Sequence, residues 1–390
     1  MPLRLLRAVV AVADHGSASS AARALHQSVS AVTRAVQQAE SRLGLPLFER
    51  GARGMVGTSA SAVLVARARR ALAELRQGLS ETFALRATDG MLHALLAVAS
   101  TRSEAGAARQ LGLTQPAVHA ALRQLEHAAR VRLFERSRRG TRLTEAGELL
   151  LQRARLALSE LRSGQDELAA FRGLSPGRVT VGALPMTSDV LVPQSLTRLF
   201  AAEPGVRVTV VDGTYEALMQ ALRHGDVDLV VGPLRGDHSA GDVIEELLFV
   251  DRLLPVVRAR HPLLDKRPPK TLRALLAWPW IGPLPGTPAR AAFERAFAAV
   301  GLPAPEVGLQ VNSPSVVRSV LLAGDHVALV SPLQIRAELA AGVLTLLPVP
   351  VKGTERAIGI AQRRGGLASP ACNALVRELR AVAAAPQTSP

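Results

Sequence analysis

The sequence has little of the residues on which several protein classes depend. Cys372 is the single cysteine, which excludes a disulfide framework, a cysteine-rich zinc site and an iron–sulfur cluster, and which fits a reducing compartment. Aromatic residues make up only 3% of the chain. This is too few for RNA-binding modules that stack bases on exposed Phe and Tyr.

Long hydrophobic runs are also missing. No run approaches the roughly 20 residues of a membrane-spanning helix, and the first residues do not form a secretory signal, so we expect a cytoplasmic protein. Hydrophobic residues account for 48% and charged residues for 20% of the 390 residues. This balance predicts two to four globular domains and not a disordered chain.

Positive charge is concentrated in the first 172 residues. This segment has 25 arginines, no lysine and 14 acidic residues, a net charge of +11, whereas the remaining residues contribute +4 to the total of +15. Such an imbalance indicates a polyanionic partner, either nucleic acid or an anionic membrane surface. Base composition explains the preference for arginine over lysine, but it does not explain the difference between the two halves.

A segment of this basic half occurs twice, at a spacing of 86 residues. Ala21-Ala22-Arg23 matches Ala107-Ala108-Arg109, and Leu47-Phe48-Glu49-Arg50 matches Leu133-Phe134-Glu135-Arg136. Two copies are too few for a solenoid. We therefore predict two tandem modules, at about 3–85 and 89–171.

Each copy contains the pattern of a helix-turn-helix. A short alanine-rich helix is joined to a second helix by a break of three residues, and Ser28 and Thr114 are suitable N-caps for the second helix. The second helix of such a motif enters the DNA major groove. The side chains on it that can read base edges are Ser30, Thr33, Arg34 and Gln37 in copy one and Gln115, His119 and Arg123 in copy two. For Gln37 and His119, solvated helix surface is an equal alternative.

A strand-like unit with a basic tip follows each of these helices, at 47–58 and 133–144. We expect its arginines to contact DNA phosphates: Arg50, Arg53, Arg136, Arg138, Arg139 and Arg142. Glu49 and Glu135 are expected to anchor this wing. Each copy then ends in a long amphipathic helix, which predicts dimerisation. The alternative is that the two long helices pack against each other within one chain.

The combination of these motifs resembles the winged helix-turn-helix of LysR-type transcriptional regulators. The second copy carries the fuller set: Ala107-Ala108-Arg109-x-Leu111, Thr114-Gln115-Pro116-Ala117-Val118, Leu122-Arg123-x-Leu125-Glu126, Leu133-Phe134-Glu135-Arg136 and Leu143-Thr144-x-Ala146-Gly147. The family ordinarily has one such module, so the duplication is a departure. Copy one has Val29-Ser30 where Gln-Pro is usual, and copy two has His119-Ala120 where Ser-Arg is usual. Either the two modules read different bases, or one of them has a weak or structural role.

The remaining half of the chain has the pattern of an α/β domain. Valine-rich segments at 178–182, 206–211 and 227–231 alternate with helical patterns at 187–202 and 215–224, which indicates a parallel sheet covered on both faces. The resemblance to the family extends to this half and implies a two-lobed effector domain like the periplasmic binding proteins.

The predicted fold class is therefore α/β overall, with two mostly α-helical winged helix-turn-helix modules and long linker helices before the effector domain. The predicted bounds are 1–60 and 87–145 for the modules, 61–86 and 146–172 for the linker helices, and 176–385 for the effector domain. Within that domain, lobe I is expected at about 178–256 and 351–385, and lobe II at about 257–350.

The resemblance also implies where an effector binds. Ligands of open α/β folds lie beyond the carboxyl ends of strands, near helix N-termini, and the residues expected to face the cleft between the lobes are Thr187, Ser188, Thr214, Gly232 and Ser313. The alternative is that the hydroxyl groups only cap helices. The stretches 212–215 and 229–234 are similar to regulators linked to sugar uptake or aromatic-acid catabolism.

The function implied by this resemblance is a one-component bacterial transcription regulator whose promoter binding is modulated by a small molecule between the lobes. Its expected partners are double-stranded DNA, the effector, further copies of the chain in a dimer or tetramer, and RNA polymerase, with no membrane. No phosphate-binding loop, HExxH motif or nucleophile elbow occurs in the sequence, so we predict no catalysis, metal or cofactor. Two alternatives stay open, a solute-binding protein of a transport system and, with less support, an α/β enzyme.

Overall fold

The chain divides into two units. The computed structural model describes residues 1–51, 54–79, 81–137, 140–173, 177–236, 241–265 and 268–385. The first unit comprises Met1–Arg178 with the short segments Gly205–Arg207 and Arg223–Asp226, and the second comprises the rest from Val179 onward. Within these described ranges, no helix combines the length and apolarity needed to cross a bilayer.

The first unit contains the same succession of elements twice. Copy one consists of α1 (Leu3–His15), α2 (Ala18–Ala24), α3 (Val29–Leu43), β1 (Phe48–Gly51), β2 (Gly54–Gly57) and α4 (Ser59–Gly78). A short helix, α5 (Glu81–Arg86), leads into copy two. Copy two consists of α6 (Asp89–Thr101), α7 (Glu104–Leu111), α8 (Gln115–Ala129), β3 (Phe134–Ser137), β4 (Gly140–Leu143) and α9 (Glu145–Phe171). The segment 61–86, predicted as one linker helix, is therefore divided between α4 and α5.

A hydroxyl cap marks the start of the second helix of each helix-turn-helix. The side chain of Ser28 accepts a hydrogen bond from the backbone N–H of Ala31 at the start of α3, and Thr114 accepts from Ala117 at the start of α8. Each bond satisfies one of the N–H groups that lack a partner within the helix. Both predicted caps are confirmed, and with them the position of the second helix of each helix-turn-helix.

A partly buried glutamate joins each second helix to the hairpin that follows it. The Glu40 carboxylate accepts from the backbone N–H of Leu47 at 2.8 Å, and Glu126 accepts from Leu133 at the same distance. The sequence-based expectation for the hairpin anchor was wrong. Glu49 and Glu135 are exposed and make no hydrogen bond or ion pair with any described residue, because the hairpins present them to solvent.

The long helices α4 and α9 pack antiparallel against each other within one chain. A Cβ atom on Gly78 would lie 3.2 Å from the Cβ of Arg153, and one on Gly164 would lie 3.1 Å from the Cβ of Arg67. The two contacts are equivalent under the repeat. Arg153 lies 86 residues after Arg67, and Gly164 lies 86 residues after Gly78, so each contact joins a glycine of one copy to the equivalent arginine of the other. The helix pair therefore has approximate two-fold symmetry, and the intramolecular alternative for the long helices is the one that the structure adopts.

Ion pairs between α4 and α9 repeat the same symmetry. The Arg67 guanidinium binds Glu160 at 2.7 Å, and its equivalent Arg153 binds Glu74 at 2.8 Å. Arg67 is buried and also binds Glu167. Burial lowers the pKa of Arg67, but the hydrogen bonds that it donates to Glu160 and Glu167, together with the charges of these carboxylates, outweigh burial and leave the pKa above its ordinary value.

The two modules share one hydrophobic core. It extends from Leu5 and Leu6 of α1 through the facing sides of α4 and α9 to Leu92 and Leu95 of α6. The start of α1 also contacts the start of α6, because the backbone N–H of Leu3 donates to the Asp89 carboxylate at 3.0 Å. The unit is therefore one folded body with two similar heads.

The second unit contains two five-stranded mixed sheets. Its strands are β5 (Arg178–Ala183), β6 (Arg207–Asp212), β7 (Leu229–Pro233), β8 (Val243–Arg252), β9 (Leu254–Arg258), β10 (Trp280–Gly282), β11 (Leu309–Gln310), β12 (Val327–Val330), β13 (Leu344–Leu346) and β14 (Glu355–Arg363). Its helices are α10 (Pro185–Ser188), α11 (Leu191–Ala202), α12 (Tyr215–His224), α13 (Pro288–Ala298), α14 (Pro314–Ala323), α15 (Arg336–Ala340) and α16 (Pro370–Ala384), with 3₁₀ turns at Pro262–Leu264, Leu272–Leu275 and Pro332–Ile335.

Each sheet forms the centre of one lobe. Lobe I has the strand order β6-β5-β7-β14-β8, and lobe II has the order β11-β10-β12-β9-β13. The parallel pairing predicted for the segments 178–182 and 227–231 is confirmed, but the complete sheet of lobe I is mixed. In lobe I, β5 and β7 are parallel, but β14 is antiparallel to both of its neighbours, because the chain enters it on its return from lobe II. The first crossing between lobes lies at Leu253, close to the predicted boundary at 256–257.

Candidate nucleic-acid interface and ligand cavity

Helix α3 presents a polar face opposite a buried one. Val32, Val36 and Ala39 face the core, whereas the predicted base-reading residues Ser30, Arg34 and Gln37 are exposed and Thr33 is partly exposed. The Ser30 hydroxyl lies 3.1 Å from that of Ser28. Arg34 makes no hydrogen bond or ion pair with the described residues, so its guanidinium is available to a ligand.

Helix α8 is organised in the same way with different polar residues. Gln115 and Arg123 are exposed, and Val118 and Leu122 are buried on the other face. The predicted reader His119 has a partner within the protein, because its Nδ1 lies 3.1 Å from the Glu104 carboxylate of α7. Arg123, like Arg34, has no polar partner in the described part of the chain.

The predicted phosphate-binding arginines lie on the two hairpins where the structure describes them. Arg142 is exposed on β4, and the backbones of Arg50 and Arg136 belong to β1 and β3. Arg53, Arg138 and Arg139 lie outside the described residues.

The hairpins are fixed to the first helix of each copy. In copy one the backbone N–H of Met55 donates to the carbonyl oxygen of Gly16 at 2.9 Å, and in copy two Thr141 donates to Arg102 at 3.0 Å. Both acceptors lie directly after the first helix. Together with the contacts of Glu40 and Glu126, these bonds connect the hairpin to both the first and the second helix of its copy, which is the arrangement that a winged helix-turn-helix needs on DNA.

The second unit contains a cavity of about 360 Å³ between its two lobes. Residues at the carboxyl ends of strands and at helix starts line it, among them Leu184, Thr214 and Tyr215 from lobe I and Thr287, Asn312 and Val317 from lobe II. This is the position at which open α/β folds bind small molecules. Most of the wall is apolar, and polar side chains from both lobes complete it, among them Glu216, Asn312 and Gln334.

The five predicted effector-binding residues differ in their positions. Thr214 lines the cavity, whereas Thr187, Gly232 and Ser313 are absent from the wall formed by the described residues. Thr187 is fully buried, and its hydroxyl donates to the carbonyl oxygen of Val231 at 2.8 Å.

Two of the other predicted positions are occupied by internal contacts. A Cβ on Gly232 would lie 2.4 Å from Leu184, so this glycine is required for packing. The Ser313 hydroxyl lies 2.9 Å from that of Ser315. For Ser188 the structure describes the backbone in α10 but not the side chain. A role of these residues in effector binding remains a prediction.

Sequence reasoning missed three arginines that line the cavity, namely Arg235, Arg318 and Arg356. Arg356 on β14 is buried and binds the Asp251 carboxylate. Its Nε has no hydrogen-bond partner among the described residues. No periodic pattern distinguishes Arg356 from the other polar residues at the two ends of β14, and only the packing of this strand beside the cavity reveals it.

The other two arginines are held at the cavity by partners. Arg318 of lobe II binds Asp189 of lobe I at 3.2 Å, and burial raises the pKa of Asp189 in spite of Arg318. The Arg235 guanidinium lies 3.7 Å from the centre of the Tyr215 ring and binds Glu216 at 3.0 Å. Cationic groups therefore surround an apolar cavity, each balanced by a nearby carboxylate.

Comparison with protein families identifies both halves of the chain. The model of the bacterial regulatory helix-turn-helix protein of the lysR family matches twice, at residues 3–62 and 90–148. The LysR substrate binding domain matches residues 172–384. The two helix-turn-helix matches coincide with the two copies found in the sequence, which confirms the tandem repeat.

Curated relatives agree with these matches. The chain is 38% identical to the HTH-type transcriptional regulator GalR of Pseudomonas putida over 97% of each chain, a share that includes both modules. It is 30% identical to the HTH-type transcriptional regulator PcaQ of Agrobacterium fabrum, over 75% of this chain and 94% of that protein. These relatives are regulators and not enzymes.

Solved structures show the same fold. A full-length OxyR variant from Pseudomonas aeruginosa superposes with a TM-score of 0.55 at 20% identity, over 75% of this chain and 94% of that one. The LysR family regulator CbnR superposes with a TM-score of 0.53 at 22% identity, over 75% and 98%. The chain belongs to the LysR family of bacterial helix-turn-helix transcriptional regulators, with a duplicated DNA-binding module.

Proposed function

We propose that one chain is a complete two-headed DNA-binding unit of an effector-controlled transcription regulator. The observation that carries this proposal is the antiparallel packing of α4 against α9 within one chain. A protein with one module per chain needs a second chain to place a similar helix beside its own. Here the partner helix is covalently attached, and the shared core extends from one head to the other.

Each head contacts DNA in two ways in this proposal. The exposed faces of α3 and α8 enter successive major grooves and read base edges through Arg34, Gln37, Gln115 and Arg123. The hairpin arginines neutralise phosphates on either side. The net charge of +11 in the first 172 residues supplies the long-range attraction for both steps.

The ligand that controls binding occupies the cavity between the lobes and is a small organic acid. The cavity is mostly apolar, but three arginines from both lobes, Arg235, Arg318 and Arg356, line it. The carboxylate of such a ligand would accept charge-assisted hydrogen bonds from guanidinium groups of this wall. Binding that favours one arrangement of the lobes over another shifts the population of DNA-binding states.

Two chains joined as a dimer supply four heads, and RNA polymerase is a further partner at the promoter. A regulator of this kind works in the cytoplasm, where the bacterial chromosome lies. Light scattering of the full-length protein with its operator tests the assembly. We expect two chains in the smallest specific complex, and a complex that needs four chains contradicts the dimer.

Electrophoretic mobility shifts at several salt concentrations test the DNA-binding function. Each phosphate neutralised contributes about −0.9 to the slope of log affinity against log salt. If all six predicted hairpin arginines contact phosphates, they alone contribute about −5 to this slope. A solute-binding protein or an enzyme would shift no duplex specifically, and that result would refute the proposal.

Thermal unfolding with a panel of small molecules tests the ligand class. We expect aromatic and aliphatic carboxylic acids to raise the unfolding temperature of the second unit, and neutral sugars of similar size to leave it unchanged. The two tryptophans, Trp278 and Trp280, both lie in the second unit, so their fluorescence reports this transition selectively. Stabilisation by the sugars alone contradicts an organic acid.

A further inference from the structure

We infer that the two heads of one chain recognise unlike half-sites, so that each chain binds an asymmetric DNA element in one fixed orientation. This inference rests on the proposed DNA-binding function. The supporting observation is that a symmetric frame, the α4–α9 pair with the two hairpins, holds two helices, α3 and α8, whose exposed side chains differ.

The frame that holds the two heads is symmetric. The contacts of Arg67 with Glu160 and of Arg153 with Glu74 are equivalent under the 86-residue repeat. So are the hydrogen bonds of Glu40 and Glu126 to their hairpins. Helices α3 and α8 therefore occupy equivalent positions, each within its own head and relative to the α4–α9 pair.

The arginines on the two reading helices occupy different positions. Arg34 of α3 corresponds to Ala120 of α8, and Arg123 of α8 corresponds to Gln37 of α3. Three residues separate the two positions along a helix, a distance of about 4.5 Å at 1.5 Å per residue. One base-pair step is about 3.4 Å. The two guanidinium groups therefore reach base pairs at different distances from the pseudo-two-fold axis.

The neighbouring positions reinforce the difference. His119 of α8 is held by Glu104, whereas the equivalent pair in copy one is Thr33 and Ala18, which cannot form an ion pair. The exposed Gln115 of copy two corresponds to an exposed valine, Val29, which is 46% accessible. An amide hydrogen-bonds to base edges, and a valine offers only apolar contact, for example with a thymine methyl group.

The difference between the heads affects the DNA site because both heads belong to one chain. In a homodimer of one-headed chains the two heads are identical, so the site is an inverted repeat. In this chain the two unlike heads always occur together, in one order. A dimer of such chains would read two asymmetric elements related by its own two-fold axis.

Selection from a random duplex library by the full-length protein tests the inference. We expect the recovered sequences to contain two unlike half-sites, A and B, at a fixed spacing. Arg34→Ala should weaken discrimination at a guanine of one half-site by about 5- to 150-fold and leave the other unchanged. Arg123→Ala should do the same at the other half-site, so that each variant is the control for the other. Both side chains are exposed, so we expect both variants to fold, and a loss of discrimination would then reflect the lost base contact.

A converted chain provides a gain-of-function arm. It carries the reading residues of copy two in copy one: Ala18→Glu, Val29→Gln, Ser30→Pro, Thr33→His, Arg34→Ala and Gln37→Arg. We expect its preference to change from A–B duplexes to the symmetric B–B duplex. Identical half-sites for the wild-type chain, or equal effects of both single variants on both half-sites, would overturn the inference. A wild-type chain that recovers no duplex would overturn the proposed function together with it.

Discussion

The same ion pair occurs twice between α4 and α9, once buried and once partly exposed. The side chains of Arg67 and Glu160 are 3% and 6% accessible, whereas those of Arg153 and Glu74 are 28% and 21% accessible. The bond lengths are nearly equal, so geometry alone does not separate the pairs. Arg67 also has a second carboxylate partner, Glu167. The comparison shows that a duplicated ion pair can keep its geometry while its contribution to stability changes with burial.

Burial determines what the loss of a partner costs. A partly exposed ion pair is screened by solvent and contributes at most about 1 kcal/mol. A buried arginine that loses one of its carboxylates keeps a charge that is less well compensated in a low-dielectric site, at a cost of up to several kcal/mol. The copies should therefore differ most in their response to substitutions at the α4–α9 interface.

The largest expected effect comes from breaking the buried pair. Glu160→Ala leaves Arg67 with only Glu167 and should lower the free energy of unfolding of the first unit by about 3 kcal/mol. The equivalent change Glu74→Ala should lower it by less than about 1 kcal/mol. Urea unfolding followed by far-UV circular dichroism measures both, because the first unit is mostly helical. Equal losses for the two variants would show that burial does not distinguish the pairs.

A second prediction concerns the contact between the second helix and the hairpin, which is the same in both copies. Glu40→Ala and Glu126→Ala each remove a carboxylate that accepts hydrogen bonds from two backbone N–H groups of the hairpin. A hydrogen bond to a charged group contributes about 1.5–3 kcal/mol, so each variant should lose about 2 kcal/mol. The same unfolding assay should give matching values. A difference above about 1 kcal/mol would mean that the heads are not equivalent in their frames.

The hairpins offer a third test, on DNA affinity. Arg142 on β4 corresponds to Val56 on β2, which is exposed. Arg142→Ala should reduce the salt slope of binding by about 0.9, and Val56→Arg should increase it by about the same amount, because each changes one phosphate contact. Affinity for specific and nonspecific duplexes should change alike. A change confined to one sequence would instead assign Arg142 to base reading.

Local signals in the sequence sufficed to predict the two heads. The packing between elements far apart in the chain could not be predicted from such signals. Ser28 and Thr114 act on N–H groups three residues away, so their capping role is visible in the sequence. The apolar stripe of α9 shows that it packs against something, but it does not name α4 as the partner. The segment that forms β14 gives no sign of its antiparallel pairing, because strand order is decided by residues far apart in the chain.

The candidate cavity shows the same limit. Thr214 follows a predicted strand, and its place at the cavity could be anticipated from the topology of α/β folds. Thr187 was expected beside it, but its hydroxyl donates a hydrogen bond to the backbone of β7 within lobe I. The return of 351–385 to lobe I was predicted, but only the folded structure shows that Arg356 of this segment lines the cavity.

The smallest expected effect arises where a left-handed residue is glycine in one copy and not in the other. The residue after the first helix has φ +71° at Gly16 and φ +53° at Arg102. A side chain in this region strains the backbone, whereas glycine adopts it readily but loses more entropy on folding. Arg102→Gly should therefore raise the free energy of unfolding by only about 0.5 kcal/mol, and Gly16→Ala should lower it by about 1 kcal/mol. Thermal unfolding followed by circular dichroism resolves changes of this size. A loss of stability in Arg102→Gly would mean that the arginine side chain stabilises its head by more than the strain it imposes.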